Sequence, residues 1–146
     1  MSMYKQFKTD TDLEKQGIVL DYGTFRVRVA RMGGSNKKFV AQLEQRTKPL
    51  RRAIQADTVD RTKLIDVVRE VFVDTVILDW ETNVGTEKSP DWKQGVEAED
   101  GSLLEFNREN VLDALRNLPD LYDDLQEQAG KAALFRAAAL EDEAKN

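Results

Sequence analysis

The amino-acid sequence predicts a mainly α fold: a helical domain with an N-terminal β-hairpin and a small second hairpin before the last two helices. Three patterns carry that expectation. Apolar residues recur at helical spacing from Phe39 to Ile54 and again from Leu64 to Trp80, as in helices that bury one side. Thr24 to Arg31 alternates strictly, the period of a half-buried strand. The run from Gly101 to Leu121 reads as a turn, a short strand, a capped helix, a forced break and a second helix. The 146 residues suit one domain with its own core. The expected organisation is a flexible segment over 1–16, a single mainly helical domain over 17–140 and a polar tail over 141–146.

Each element has a local reason. Residues 1–16 are polar, loose or only locally helical. Ile18 to Tyr22 and Thr24 to Arg31 flank Gly23 as a hairpin, with Phe25, Val27 and Val29 on one face and Arg26 and Arg28 on the other. Gly33-Gly34 ends the second strand, and Ser35 is a suitable N-cap. Pro49 falls inside the next helical stripe and lacks the backbone donor a helix needs, so two helices are expected, roughly 36–47 and 49–57. Asp60 caps a helix expected to run from Arg61 to about Trp80; its length favours helix over strand despite its β-branched residues. Glu81 to Asp100 is expected to be the least structured region. Val96–Ala98 and Leu103–Phe106 then form a small hairpin around Asp100-Gly101. Asn107 caps a helix with Phe106 as a staple onto Val111, and Pro119 opens a last helix expected to extend past 135.

Composition narrows the chemistry. There is no cysteine, which removes disulfides, thiolate metal sites and cysteine nucleophiles. There is no histidine either, and most acid–base designs, serine triads and zinc sites lean on imidazole. The expectation is a non-enzymatic protein with no cofactor and no metal. Met1–Lys15 lacks the apolar stretch of a secretory signal, and Val67–Trp80 is interrupted by Arg69, Glu70, Asp74 and Asp79, so it is not a membrane span. A soluble, cytoplasmic protein is expected.

The net charge of −5 conceals a split: bases dominate from Gly17 to Arg52 and acids from Glu97 onward. That polarity reads either as solvated faces that happen to segregate or as ends that attract each other or neighbouring copies head-to-tail. The carboxylate clusters Asp123/Asp124, Glu99/Asp100 and Glu141/Asp142/Glu143 read as solvated surface. Gly33-Gly34-Ser35 resembles an anion nest but lacks a full phosphate-loop pattern, so a turn with an N-cap is expected. The basic ridge Arg46, Lys48, Arg51 and Arg52 reads as a plain solvated face or as a surface for protein partners or assembly, ahead of nucleic acid, because aromatic interleaving is poor and the overall charge is negative. Trp92, set between Asp91 and Lys93, is a candidate binding anchor. Leu121 and Leu125 lead into the alanine-rich face from Ala129 to Ala139, whose small side chains let another helix approach closely, either of this chain or of a partner.

The basic Lys48-Pro49-Leu50-Arg51-Arg52 step, the hydrophobic run ending at Trp80, Phe106-Asn107-Arg108-Glu109-Asn110 and Leu118-Pro119-Asp120-Leu121 together resemble the tail assembly chaperones of long-tailed (siphovirus-type) bacteriophages. The resemblance extends from about Tyr22 to Ala138. It implies a small, mainly helical, non-enzymatic protein of the host cytoplasm that binds the tape measure protein, helps recruit tail tube subunits and is absent from the mature virion. In that family a ribosomal frameshift commonly adds a C-terminal extension. The alternatives are a permanent minor virion component, such as a head–tail connector or tail subunit, and a small nucleic-acid-binding protein using the Arg26–Arg52 half.

Overall fold

Sheet occupies more of the molecule than the sequence predicts. The computed structural model describes residues 2–136. Two short helices, α1 (Met3–Phe7) and α2 (Thr11–Gln16), precede the strands β1 (Ile18–Asp21) and β2 (Phe25–Val29). Then come α3 (Lys37–Thr47), a 3-10 turn (Lys48–Leu50), α4 (Arg51–Gln55) and α5 (Arg61–Thr75). The strands β3 (Ile77–Asn83), β4 (Trp92–Gln94), β5 (Val96–Glu97) and β6 (Leu103–Leu104) follow, and α6 (Arg108–Asn117), α7 (Pro119–Gly130) and a 3-10 turn (Ala132–Phe135) complete the described chain. Strands β1 to β4 form one antiparallel sheet in sequence order, and β5 pairs with β6.

The fold is therefore mixed α/β, which corrects the mainly α expectation. The correction centres on Arg61–Trp80. Helix α5 stops at Thr75, and Ile77–Asn83 becomes the strand that joins the N-terminal hairpin to β4. Val76, Ile77 and Trp80 are all buried at a spacing that imitates a helix face. A register shift at Arg28/Val29 lets Ile77 and Trp80 both meet β2, opposite Val29 and Val27. The backbone of Val76 also accepts from Ala30 N–H at 2.8 Å, a tertiary bond that local periodicity does not reveal. The segment expected to be least structured likewise holds the end of β3, all of β4 and β5.

Local signals elsewhere do their work. Asp60 accepts from Thr62 and Lys63 N–H, and Asn107 accepts from Asn110 N–H. Pro49 separates α3 from α4, and Pro119 opens α7. Asn36, not Ser35, caps α3. The Ser35 hydroxyl instead donates to Glu14 at 3.0 Å. Helix α7 ends at Gly130; the part of the last helix expected beyond 136 and the 141–146 tail lie outside the described residues.

Residues 2–16, expected to be loose or only locally helical, are tied to the rest. Asp10 N–H donates to Phe135 C=O at 2.7 Å, and Arg31 N–H donates to Glu14 C=O at 2.8 Å. The Glu14 side chain is buried, accepts from Thr9 Oγ1 at 2.8 Å and lies 3.8 Å from the Arg31 guanidinium. Gly34, at φ +54, packs so closely that a Cβ would land on the Glu14 carboxylate. The loop that resembled an anion nest thus encloses a carboxylate of its own chain.

The core lies between the inner face of the sheet and α5, α6 and α7. Val27, Val29, Phe72, Val111, Leu112, Leu115 and Leu125 are fully enclosed there, each contributing about 1.5–3 kcal/mol of burial. Tyr22, Phe25 and Trp80 stack in series, with ring centroids 4.8 and 5.7 Å apart.

Candidate partner-binding groove

A groove of about 570 Å³ runs beside β1, lined by Leu13 of α2, every residue from Gly17 to Tyr22, Asp124 and Gln128 of α7, and Leu134 of the final 3-10 turn. A cavity facing one side of a strand would touch alternate residues. Six consecutive lining residues mean that this one follows the strand's edge.

Sequence and pairing position that edge. Gly17 takes φ +91 where α2 meets β1, and a side chain there would strike Leu78 and the Val29 carbonyl. Among the described residues β1 is the outermost strand and pairs only with β2, Ile18 opposite Val29 through Asp21 opposite Arg26. Tyr22 N–H donates to Phe25 C=O at 2.9 Å. Alternation along an antiparallel ladder then places Leu20 and Ile18 in the bonded pairs and turns the N–H and C=O groups of Val19 and Asp21 away from β2.

The groove has a polar and an apolar end. Tyr22 Oη donates to Asp124 Oδ2 at 2.6 Å, joining the hairpin to α7 across 102 residues of sequence. Burial, and then the Asp124 hydrogen bond and charge, push the Tyr22 phenol well above its ordinary value, so it stays a neutral donor. Asp21 also lines this end, but its side chain is on the opposite face of β1, across the ladder from Arg26, while Leu13 and Leu134 line the groove from α2 and the final turn. Among the described residues no group of His, Cys, Asp or Glu is arranged to hold a metal ion, and no helix is long and apolar enough to cross a membrane.

The residues singled out from sequence do not converge here. Arg46 is half-buried and paired with Glu70 and, at 3.3 Å, with Asp74 of α5. It belongs to a network that also takes in Arg108 of α6, 2.7 Å from Asp74. Lys48, Arg51 and Arg52 are exposed on the 3-10 turn and α4. Trp92 is in β4 rather than a loop; it is half-buried, with the Arg26 guanidinium 4.2 Å from its ring centre. Arg26 also bonds Glu81 at 3.0 Å on that uncovered face. Leu121 packs against the core, and Leu125 and Ala129 are fully buried within it. These two dock on the chain's own core, because α7 turns them inward. Met32 N–H even reaches the Ala129 carbonyl at 2.9 Å.

The charge split also resolves differently. Among the described residues, the ion-paired cations of the 17–52 half use Glu14, Glu70, Asp74 and Glu81, not the acids beyond residue 97. Sequence reasoning missed Leu13, Val19, Asp124 and Leu134 as neighbours. Only the apolar Ile18-Val19-Leu20 run hinted at a strand, and nothing local marks it as an edge.

The family model of the YdaY prophage protein matches residues 34–146. No curated protein and no solved structure matches the chain. The match takes in the α7 wall of the groove and begins after β1 and β2.

Proposed function

The chain belongs to the YdaY prophage protein family, and we propose that within it this protein works as a non-enzymatic tail assembly chaperone. In this reading it holds the tape measure protein in the host cytoplasm, supports assembly of the tail tube around it, and leaves before the virion is complete. The observation that carries the reading is the outward edge of β1 along an open groove. Strand edges offer main-chain bonds to extended segments with little demand on their sequence, which suits a long client held and then released. The tape measure and tail tube proteins enter through the resemblance to siphovirus-type chaperones.

Co-expression with the tape measure protein of the same prophage tests this. The chain is expected to keep that protein soluble and to co-purify with it; an insoluble client and no complex would overturn the proposal. Mass spectrometry of purified particles provides the second check. Stoichiometric recovery of the chain would make it a permanent virion component instead.

A further inference from the structure

We propose that the β1 groove takes an extended, basic peptide strand: alternating apolar residues paired with the outer edge of Ile18–Asp21, with one Lys or Arg set against Asp124. Its natural source, a segment of the client protein, rests on the chaperone reading; its chemistry comes from the groove.

Three observations converge on that occupant. The outward groups of Val19 and Asp21 are two donor–acceptor sets, spaced to bond one added strand. At about 3.3 Å per residue, the four residues of β1 offer a strip of about 13 Å, and Leu13, Ile18, Leu20 and Leu134 give apolar contacts along it. At the Tyr22 end, on the face of β1 that carries Tyr22, the described lining has the Asp124 carboxylate and no cation. Asp124 is half-buried and fixed by the Tyr22 hydroxyl. Asp21 lies on the opposite face, exposed and across the ladder from Arg26, and accepts from the Gly23 N–H at 2.8 Å. A fixed, half-buried carboxylate favours a cation and disfavours an acidic segment.

A second copy of the chain is a poorer occupant. Its own β1 would lie recessed between α2, α7 and the last 3-10 turn, and two recessed edges do not meet. A single strand passes between those walls.

Two arms separate this inference from the chaperone reading. The full chain is titrated with the synthetic peptide acetyl-Val-Thr-Val-Thr-Lys-Thr-amide, whose Lys shares a face with the two Val residues, and with its Lys-to-Glu counterpart, and co-purification of the tape measure protein is scored in parallel. The Lys peptide should bind at least about tenfold more tightly than the Glu peptide. Val19→Pro removes an outward donor without touching the β2 ladder and should abolish binding, whereas Gln94→Pro, at an outward position of the opposite edge strand β4, should leave it unchanged. Asp124→Asn keeps an acceptor for Tyr22 and should erase the Lys-over-Glu preference. Circular dichroism shows whether each variant is folded; should Val19→Pro fail to fold, Asp124→Asn decides. Capture of the client undiminished by Val19→Pro, or Lys and Glu peptides bound alike, overturns the groove inference and leaves the chaperone reading standing. Lys-peptide binding without client capture does the reverse. A dimer in sedimentation that Val19→Pro dissolves would assign the edge to a second copy and overturn the inference.

Discussion

The two edges of the four-stranded sheet are finished differently. β4 is three residues long, centres on the exposed Lys93, follows Pro90 and ends at Gly95, where the chain turns away to β5. Short, charged, proline-bordered edges discourage further pairing. β1 has three apolar residues in four and no lysine, features that ordinarily invite it. The difference teaches that one edge is protected by its sequence and the other by its position. β1 is recessed between α2, α7 and the final 3-10 turn, which keeps other sheets away while leaving room for a single strand.

Variants that remove the walls of the recess should have the largest effects. Leu125 is fully buried in α7, and Leu125→Ala should cost about 2–5 kcal/mol, seen as a large drop in thermal midpoint together with loss of peptide binding. A small drop with binding retained would mean that α7 does not support the groove. Gly34→Ala is next. It forces a side chain onto the Glu14 carboxylate at a left-handed backbone position and should cost about 1–3 kcal/mol in urea unfolding. It should also speed proteolysis within residues 2–16, because Glu14 holds that segment.

Alkali probes the contact between β1 and α7. Tyr122 is pushed up to about 12 by burial, and Tyr22 is also raised. Both folded values exceed the ordinary phenol value of about 10. Their contribution to stability is therefore complete below about pH 10 and is lost as pH rises through the folded values. The thermal midpoint should fall more steeply above about pH 10 than below it, and Tyr22→Phe should soften that fall. The smallest effect is expected at the guarded edge. Trp92→Ala removes the Arg26 stack, worth about 0.5–1 kcal/mol at an accessible site, and should leave peptide binding unchanged. Lost binding would move the interface to the open sheet face.

What the sequence disclosed follows the range of the forces involved. The Ile18–Val29 hairpin, the Asp60 and Asn107 caps and the breaks at Pro49 and Pro119 depend on neighbours a few residues away, and all were legible. Strand β3 was not, because pairing with β2 outweighed a helical apolar spacing and a register shift kept that spacing buried. The exposure of Lys48, Arg51 and Arg52 agrees with their polar context. Arg46 could not be read the same way, since Glu70 and Asp74 reach it from another helix. The groove was least legible of all. Its defining contact, Tyr22 with Asp124, joins residues that no local pattern relates.

Residue-resolved amide exchange along β1 tests the central claim most directly. In the free chain Val19 and Asp21 should exchange quickly, while Leu20, bonded to β2, should be protected. Addition of the Lys peptide should slow Val19 and Asp21 and leave the β4 amides unchanged. Val19 and Asp21 already protected in the free chain, or unaffected by bound peptide, would contradict an open edge that accepts a strand.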